Sequence, residues 1–202
     1  MGTAVDLVSG MADVVTILTL FVSLSMAWRV WRARSSSGVE FLPVAATAVC
    51  LHAYVLYGIA TCDSHITWVN SLGFALMVFN SAVHRTFSTR TGPGVALALI
   101  LVVVRVASLP LSASQLGTIG VVCAALDNLT PVCRIVKKKP LPEVASATLL
   151  TCSLWETYGV LVGSGSLMAS NGIGASVALV ELAAALWVRC RRTVYVAIET
   201  TS

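Results

Sequence analysis

The sequence predicts an all-α membrane protein of seven transmembrane helices, built as two parallel triple-helix repeats joined by a linker helix (3+1+3). Three observations carry this reading: a composition too apolar for water, seven apolar runs of membrane-spanning length, and an alignment of the first part of the chain with the last. Of 202 residues, 57% are hydrophobic and 11% charged, with a mean hydropathy of +0.88. Soluble domains carry about 25% charged residues, so an ordinary soluble enzyme or binding domain is excluded. The net charge of +4 does not signal nucleic acid, because the basic residues fall in small clusters between apolar runs.

Each expected span is an apolar stretch able to cross about 30 Å of hydrocarbon. The first four run from Gly10 to Trp31, Phe41 to Ala60, Ile66 to Val83 and Val95 to Leu111. Leu116 to Val136, Val144 to Gly163 and Leu167 to Val188 complete the set. These runs are about twice the length of a barrel strand and show no sustained alternation. The first does not read as a cleavable leader, since Asp6 and Asp13 precede its apolar core and Arg29, Arg32 and Arg34 follow it. The cysteines lie mostly inside spans, with Cys62 in a loop, so no disulfide framework is expected.

Orientation follows from the basic residues, which are retained on the cytoplasmic side of span ends. Arg29, Arg32 and Arg34 follow the first span, Arg85 and Arg90 the third, Arg134 and Lys137 to Lys139 the fifth, and Arg189, Arg191 and Arg192 the seventh. The three intervening loops have none. An odd number of spans is therefore expected, with the N-terminus exterior or luminal and the C-terminus cytosolic.

Aligned with itself, the chain repeats without a gap at an offset of 101 positions from the end of the second span through the third. Tyr57-Gly58 meets Tyr158-Gly159, Asn70 meets Asn171, and Gly73 meets Gly174. Upstream, Arg29-Val30 corresponds to Arg134-Ile135 at an offset of 105. Three spans reverse the chain's side of the membrane, so a second triplet in the same orientation needs a fourth span as connector. The expected organisation is residues 1–93 as the first repeat, 94–115 as the linker helix, and 116–202 as the second repeat with a short cytosolic tail. Parallel repeats of this kind are one way in which transporters build a site at the repeat interface.

The run Gly38 to Pro43, Tyr54 to Gly58 and Asn70 to Gly73 resembles the first repeat of the SWEET (MtN3/saliva) sugar transporters, of the PQ-loop superfamily. Leu129 to Val132, Leu154 to Gly159 and Ser170 to Gly174 resemble the second. The resemblance implies facilitative, bidirectional uniport of mono- or disaccharides such as glucose by alternating access, and self-association. It is incomplete: Met26 or Ala27 stands where the family often has proline, and Tyr54 where it often has tryptophan.

Asn70 and Asn171 are the leading candidates for substrate binding, because an uncharged amide both donates and accepts, as sugar hydroxyls do. Each lies seven residues beyond Asp63 or Ser164, about 10 Å deeper into the bilayer. The resemblance adds Trp155 and Tyr54 as plates for a sugar ring, and Cys50 and Thr151 one turn earlier as pocket-lining residues. It assigns hinges to Pro43, Pro131 and Pro142. It also implies an outer gate in which a tyrosine of the second span bonds an acidic residue near the seventh. Tyr57 is present, but Ser164 occupies the acidic position, and the repeat offers Asp63 with Tyr158 as the mirror contact. Asp127 and Glu181 are charged residues inside spans, functional suspects by default; packing or pairing is the first reading for each, and a proton site is the alternative.

No catalytic constellation, cofactor or metal site is expected, since His52, His65 and His84 are far apart in sequence and expected at different depths. A retinal protein needs a lysine in the last span, and Leu167 to Val188 has none. The competing reading is a proton-coupled PQ-loop carrier of amino acids or other small solutes, for which Asp127 and Glu181 speak and the missing Pro-Gln pairs do not. Partners are then a sugar and the lipid bilayer, with no nucleic acid. The plasma membrane is the expected location, although Tyr195 to Ile198 resembles a tyrosine-based endosomal sorting signal.

Overall fold

A computed structural model of the chain describes residues 2–36, 41–88, 98, 101–102, 105, 111–137 and 140–201. The described residues form helices and their connections. In chain order these are α1 (Gly2–Ala33), α2 (Phe41–Thr61), α3 (Ser64–Thr86), α4 (Ala113–Asp127), α5 (Leu129–Val136), α6 (Pro142–Val162) and α7 (Gly165–Thr201). The expected fourth span, Val95 to Leu111, lies almost wholly outside the described residues.

The sequence explains where these helices start and stop. Asp63 caps α3, its Oδ1 accepting the Ile66 N–H at 3.0 Å, and Ser112 with Gln115 forms a reciprocal capping box at the start of α4. Gly163 ends α6 at φ +71°, the left-handed conformation that suits glycine at a helix C-terminus. Its counterpart one repeat earlier is Cys62, held at φ +55°.

The expected fifth span departs from a single helix, breaking at Asn128 into α4 and α5. Pro131 supplies the reason: it has no N–H for the carbonyl four residues back, which is that of Asp127, the last residue of α4. Pro142, expected to act as a hinge, is instead the exposed first residue of α6, where a missing N–H interrupts nothing. Pro43 is the third residue of α2.

Among the described residues, five stretches are long and apolar enough to cross a membrane: Thr3–Phe21, Val44–Thr61, Ser64–Thr86, Ala113–Val136 and Gly165–Cys190. The helix α6 has the length but not the apolarity, since Glu143, Glu156 and a run of Ser and Thr residues dilute it. It is instead sheltered by α1 and α7, with Ala145, Trp155, Tyr158 and Gly159 buried.

Packing follows the repeat. Within the first repeat, α3 touches both α1 and α2; within the second, α7 touches α4, α5 and α6. Between repeats, α2 packs on α4 and α1 packs on α6. The described spans thus close into a ring in the order α1, α3, α2, α4, α7, α6. The two seams are equivalent in the repeat, because exchanging the repeats turns α2·α4 into α6·α1. One apolar core, containing Ala12, Tyr54, Leu56, Tyr57, Ile66, Val69, Leu116, Trp155, Tyr158 and Leu167, draws on both repeats.

Glycine sets the closest approaches at equivalent places. A Cβ on Gly58 would stand 2.8 Å from the Thr67 backbone nitrogen, and one on Gly159 would stand 3.1 Å from that of Met168. The second and third helices of each repeat therefore cross backbone to backbone one turn into the third.

Candidate functional site

Asn70 and Asn171 occupy matching positions on α3 and α7, both half-buried. Each amide nitrogen donates to the carbonyl four residues earlier: Asn70 to Ile66 at 2.7 Å, Asn171 to Leu167 at 2.9 Å. That bond fixes the side chain and leaves the amide oxygen and a second N–H for another partner. The two amides are thus held identically by the two halves of the ring.

The α1·α6 seam runs past these helices with a ladder of side-chain bonds. Trp155 donates its indole N–H to Thr16 Oγ1 at 2.8 Å, and one turn on, Thr19 and Thr151 hydroxyls meet at 3.3 Å. Trp155 is buried, its ring edge-on to Tyr158 at 5.6 Å. The equivalent α2·α4 seam has another chemistry. Buried Tyr54 lies against the space left by Gly120, where a Cβ would come within 3.0 Å of its ring, and Gly117 makes room for Tyr57 at 3.0 Å. Cys50 is half-buried on α2 at the position corresponding to Thr151.

At the end of the ring where α2 turns into α3 and α6 into α7, both repeats are bonded to each other. Tyr158 of α6 donates to Asp63 Oδ2 at 2.7 Å, and Tyr57 of α2 meets Ser164 Oγ at 2.7 Å. Asp63 and Ser164 are equivalent residues, as are Tyr57 and Tyr158, so the two contacts are images of one another.

Toward the opposite end, Thr47 of α2 donates to Asp127 Oδ1 of α4 at 2.8 Å. Glu181, wholly buried on α7, accepts Arg134 Nε at 2.8 Å and Nη2 at 3.0 Å and the Leu141 backbone N–H at 3.0 Å. One carboxylate thereby ties the end of α5 and the start of α6 to α7. These bonds use both carboxylate oxygens, so Glu181 is paired, and the sequence alone did not reveal with which partners.

Other partners were also hidden. His65, placed apart from other functional groups by its sequence position, lies between Asp13 Oδ2 at 2.8 Å and Ser9 Oγ at 3.3 Å. Their separations of 52 and 56 positions leave no local motif. The pairing of Thr16 with Trp155 spans 139 positions and likewise leaves no local motif.

Comparison with known proteins bears on the fold. None of the curated proteins compared matches the chain. The structure of a eukaryotic SWEET transporter superposes with a TM-score of 0.76 at 14% identity, covering 93% of this chain and 99% of that one. Both this match and the family match are to transporters rather than enzymes. Residues 6–92, the first repeat, match the family model of the sugar efflux transporters for intercellular exchange, and the chain as a whole has the fold of a SWEET transporter.

Proposed function

We propose that this protein is a facilitative sugar carrier that moves mono- or disaccharides in either direction by alternating access. The observation that carries the proposal is the pair Asn70 and Asn171, presented by equivalent helices of a two-fold ring whose first repeat matches a sugar-transporter family. A neutral amide pair can share hydrogen bonds with hydroxyls on both sides of a sugar without a fixed charge to hold it back. Trp155 and Tyr54 add aromatic faces, with Cys50 and Thr151 beside them. The bonds Tyr158 to Asp63 and Tyr57 to Ser164 support a state closed at the end free of Lys and Arg. The basic clusters support placing that end on the exterior or luminal side, and the plasma membrane is the membrane we propose.

Counterflow of labelled glucose in proteoliposomes tests this. Wild type exchanges sugar, and Asn70→Ala or Asn171→Ala lowers exchange by about tenfold, the scale of one or two lost hydrogen bonds. No exchange of any mono- or disaccharide by well-folded protein would overturn the reading. The location of Asp127 on the α2·α4 seam favours, as a second reading, a proton-coupled carrier. An inward proton gradient driving solute above its equilibrium level would establish that reading.

A further inference from the structure

The second repeat compensates its arginine from within, and the first does not. Arg134 bonds Glu181. The position equivalent to Glu181 is Asn80, neutral and buried, with its amide oxygen unpartnered among the described residues. The position equivalent to Arg134 is Arg29, exposed near the end of α1, where Arg32 and Arg34 are exposed as well; Arg85 is exposed at the same end of α3. Residues 28–36 and 80–88, which form this end of the two helices, contain no Asp or Glu. Among the described residues, none of these four arginines has a carboxylate partner.

Arg34 is held in place there. At φ +50° it turns the chain at the end of α1, its N–H donating to the Trp31 carbonyl at 3.3 Å. Its guanidinium carbon lies 5.2 Å from the centre of the Trp31 ring and 5.4 Å from that of Phe87, which follows α3. The two rings meet edge to face at 5.7 Å. These aromatic contacts position the cation and supply no anionic acceptor for its five N–H donors.

The face of α1 that leads to these arginines suits an acyl chain. Leu7, Met11, Val14, Leu18, Phe21 and Trp28 lie on one stripe of the helix and are 49–65% exposed, and Arg32 is the next member of that stripe. Leu101, in the expected linker helix, packs instead with the core of Val44, Ala45, Ala48 and Met77 on α2 and α3. From Leu18 to Trp28 is about 15 Å at 1.5 Å per residue, the depth of one leaflet of a hydrocarbon core about 30 Å thick. Trp28 and Trp31 then fall where tryptophan collects, at the boundary between hydrocarbon and headgroups. A soluble anion would use the arginines alone; a lipid uses the stripe as well.

We propose that the basic end of α1 and α3 is a binding site for an anionic glycerophospholipid, its phosphate held by Arg32 and Arg34 and one acyl chain laid along Trp28, Phe21 and Leu18. Arg29 and Arg85 add to the positive field around it. The lipid supplies to the first repeat the counter-charge that Glu181 supplies to the second. Anionic lipids are concentrated in the cytoplasmic leaflet, the side on which basic clusters at span ends are retained. The site is independent of the solute that the carrier moves.

Native mass spectrometry of the full chain, released from mixed micelles of phosphatidylserine and phosphatidylcholine with matched acyl chains, reads the lipid retained. Wild type should retain phosphatidylserine in preference. That preference should fall about fivefold in Arg32→Gln and about fivefold in Arg34→Gln, the scale of one arginine at an anionic membrane surface. The double variant Arg191→Gln with Arg192→Gln removes two charges from α7 instead and should lower the preference less than either single variant does. Glycerophosphoserine, the same headgroup without chains, and inorganic phosphate should not displace the lipid at equal concentration. No preference in wild type, or a loss from the α7 pair as large as that from Arg32→Gln, overturns the site. Displacement by either soluble anion overturns the lipid as its occupant.

Discussion

Tyr158 donates its hydroxyl proton to Asp63 Oδ2 at 2.7 Å, and Tyr57, its counterpart one repeat earlier, meets the Ser164 hydroxyl at the same distance. Equal lengths do not make equal strengths. A bond to a carboxylate contributes about 1.5–3 kcal/mol and one between hydroxyls about 0.5–1.5 kcal/mol. Tyr158→Phe should therefore shift the population toward the state open at this end more than Tyr57→Phe does. The measurement is half-saturation for sugar offered from this side, which should fall up to about tenfold for Tyr158→Phe and about threefold for Tyr57→Phe. Ser164→Asp should act oppositely, slowing exchange by giving Tyr57 a carboxylate.

Thr47 and Asp127 join the same two repeats toward the other end. Thr47→Val removes the bond while keeping the shape, so it should lower half-saturation for sugar offered from the basic side and leave the other side unchanged or weaker. Equal effects on both sides would show that the bond does not belong to one closure.

The Arg134–Glu181 pair should behave as a buried ion pair does. Glu181→Gln or Arg134→Gln leaves the remaining charge uncompensated and should cost about 3–5 kcal/mol of stability, read as a lowered melting temperature in detergent. Arg134→Met with Glu181→Met should recover most of that loss. Single and double variants of equal stability would contradict the assignment.

The crossing glycines should be intolerant of a methyl group. Gly58→Ala places a Cβ 2.8 Å from a backbone nitrogen and Gly159→Ala places one at 3.1 Å, so both should destabilise by about 1–3 kcal/mol, Gly58→Ala the more. Cys62→Gly should do the reverse, relieving a left-handed residue by up to about 1 kcal/mol. Thermal unfolding checks all three.

Sequence made the spans legible because burial in lipid needs long apolar runs, and it made the Asp63–Tyr158 contact legible because a repeat offset carries a contact from one half to the other. The break at Asn128 was readable in principle from Pro131, since a proline removes a known carbonyl's partner. His65 with Asp13 and Glu181 with Arg134 were not readable. Both pairs join helices whose relative rotation depends on packing, and neither has a repeat-related copy: Asn80 is the counterpart of Glu181, and Ser166 is the counterpart of His65.

The two seams between the repeats do not resist motion alike. On α1·α6, the indole of Trp155 and the hydroxyls of Thr16, Thr19 and Thr151 stitch the helices at mid-height through directional bonds that fail when the helices slide. On α2·α4, the rings of Tyr54 and Tyr57 pack over Gly120 and Gly117, and the one directional bond between the two helices described above is Thr47 to Asp127. A methyl at Gly120 would stand 3.0 Å from the Tyr54 ring and act as a wedge between the two helices.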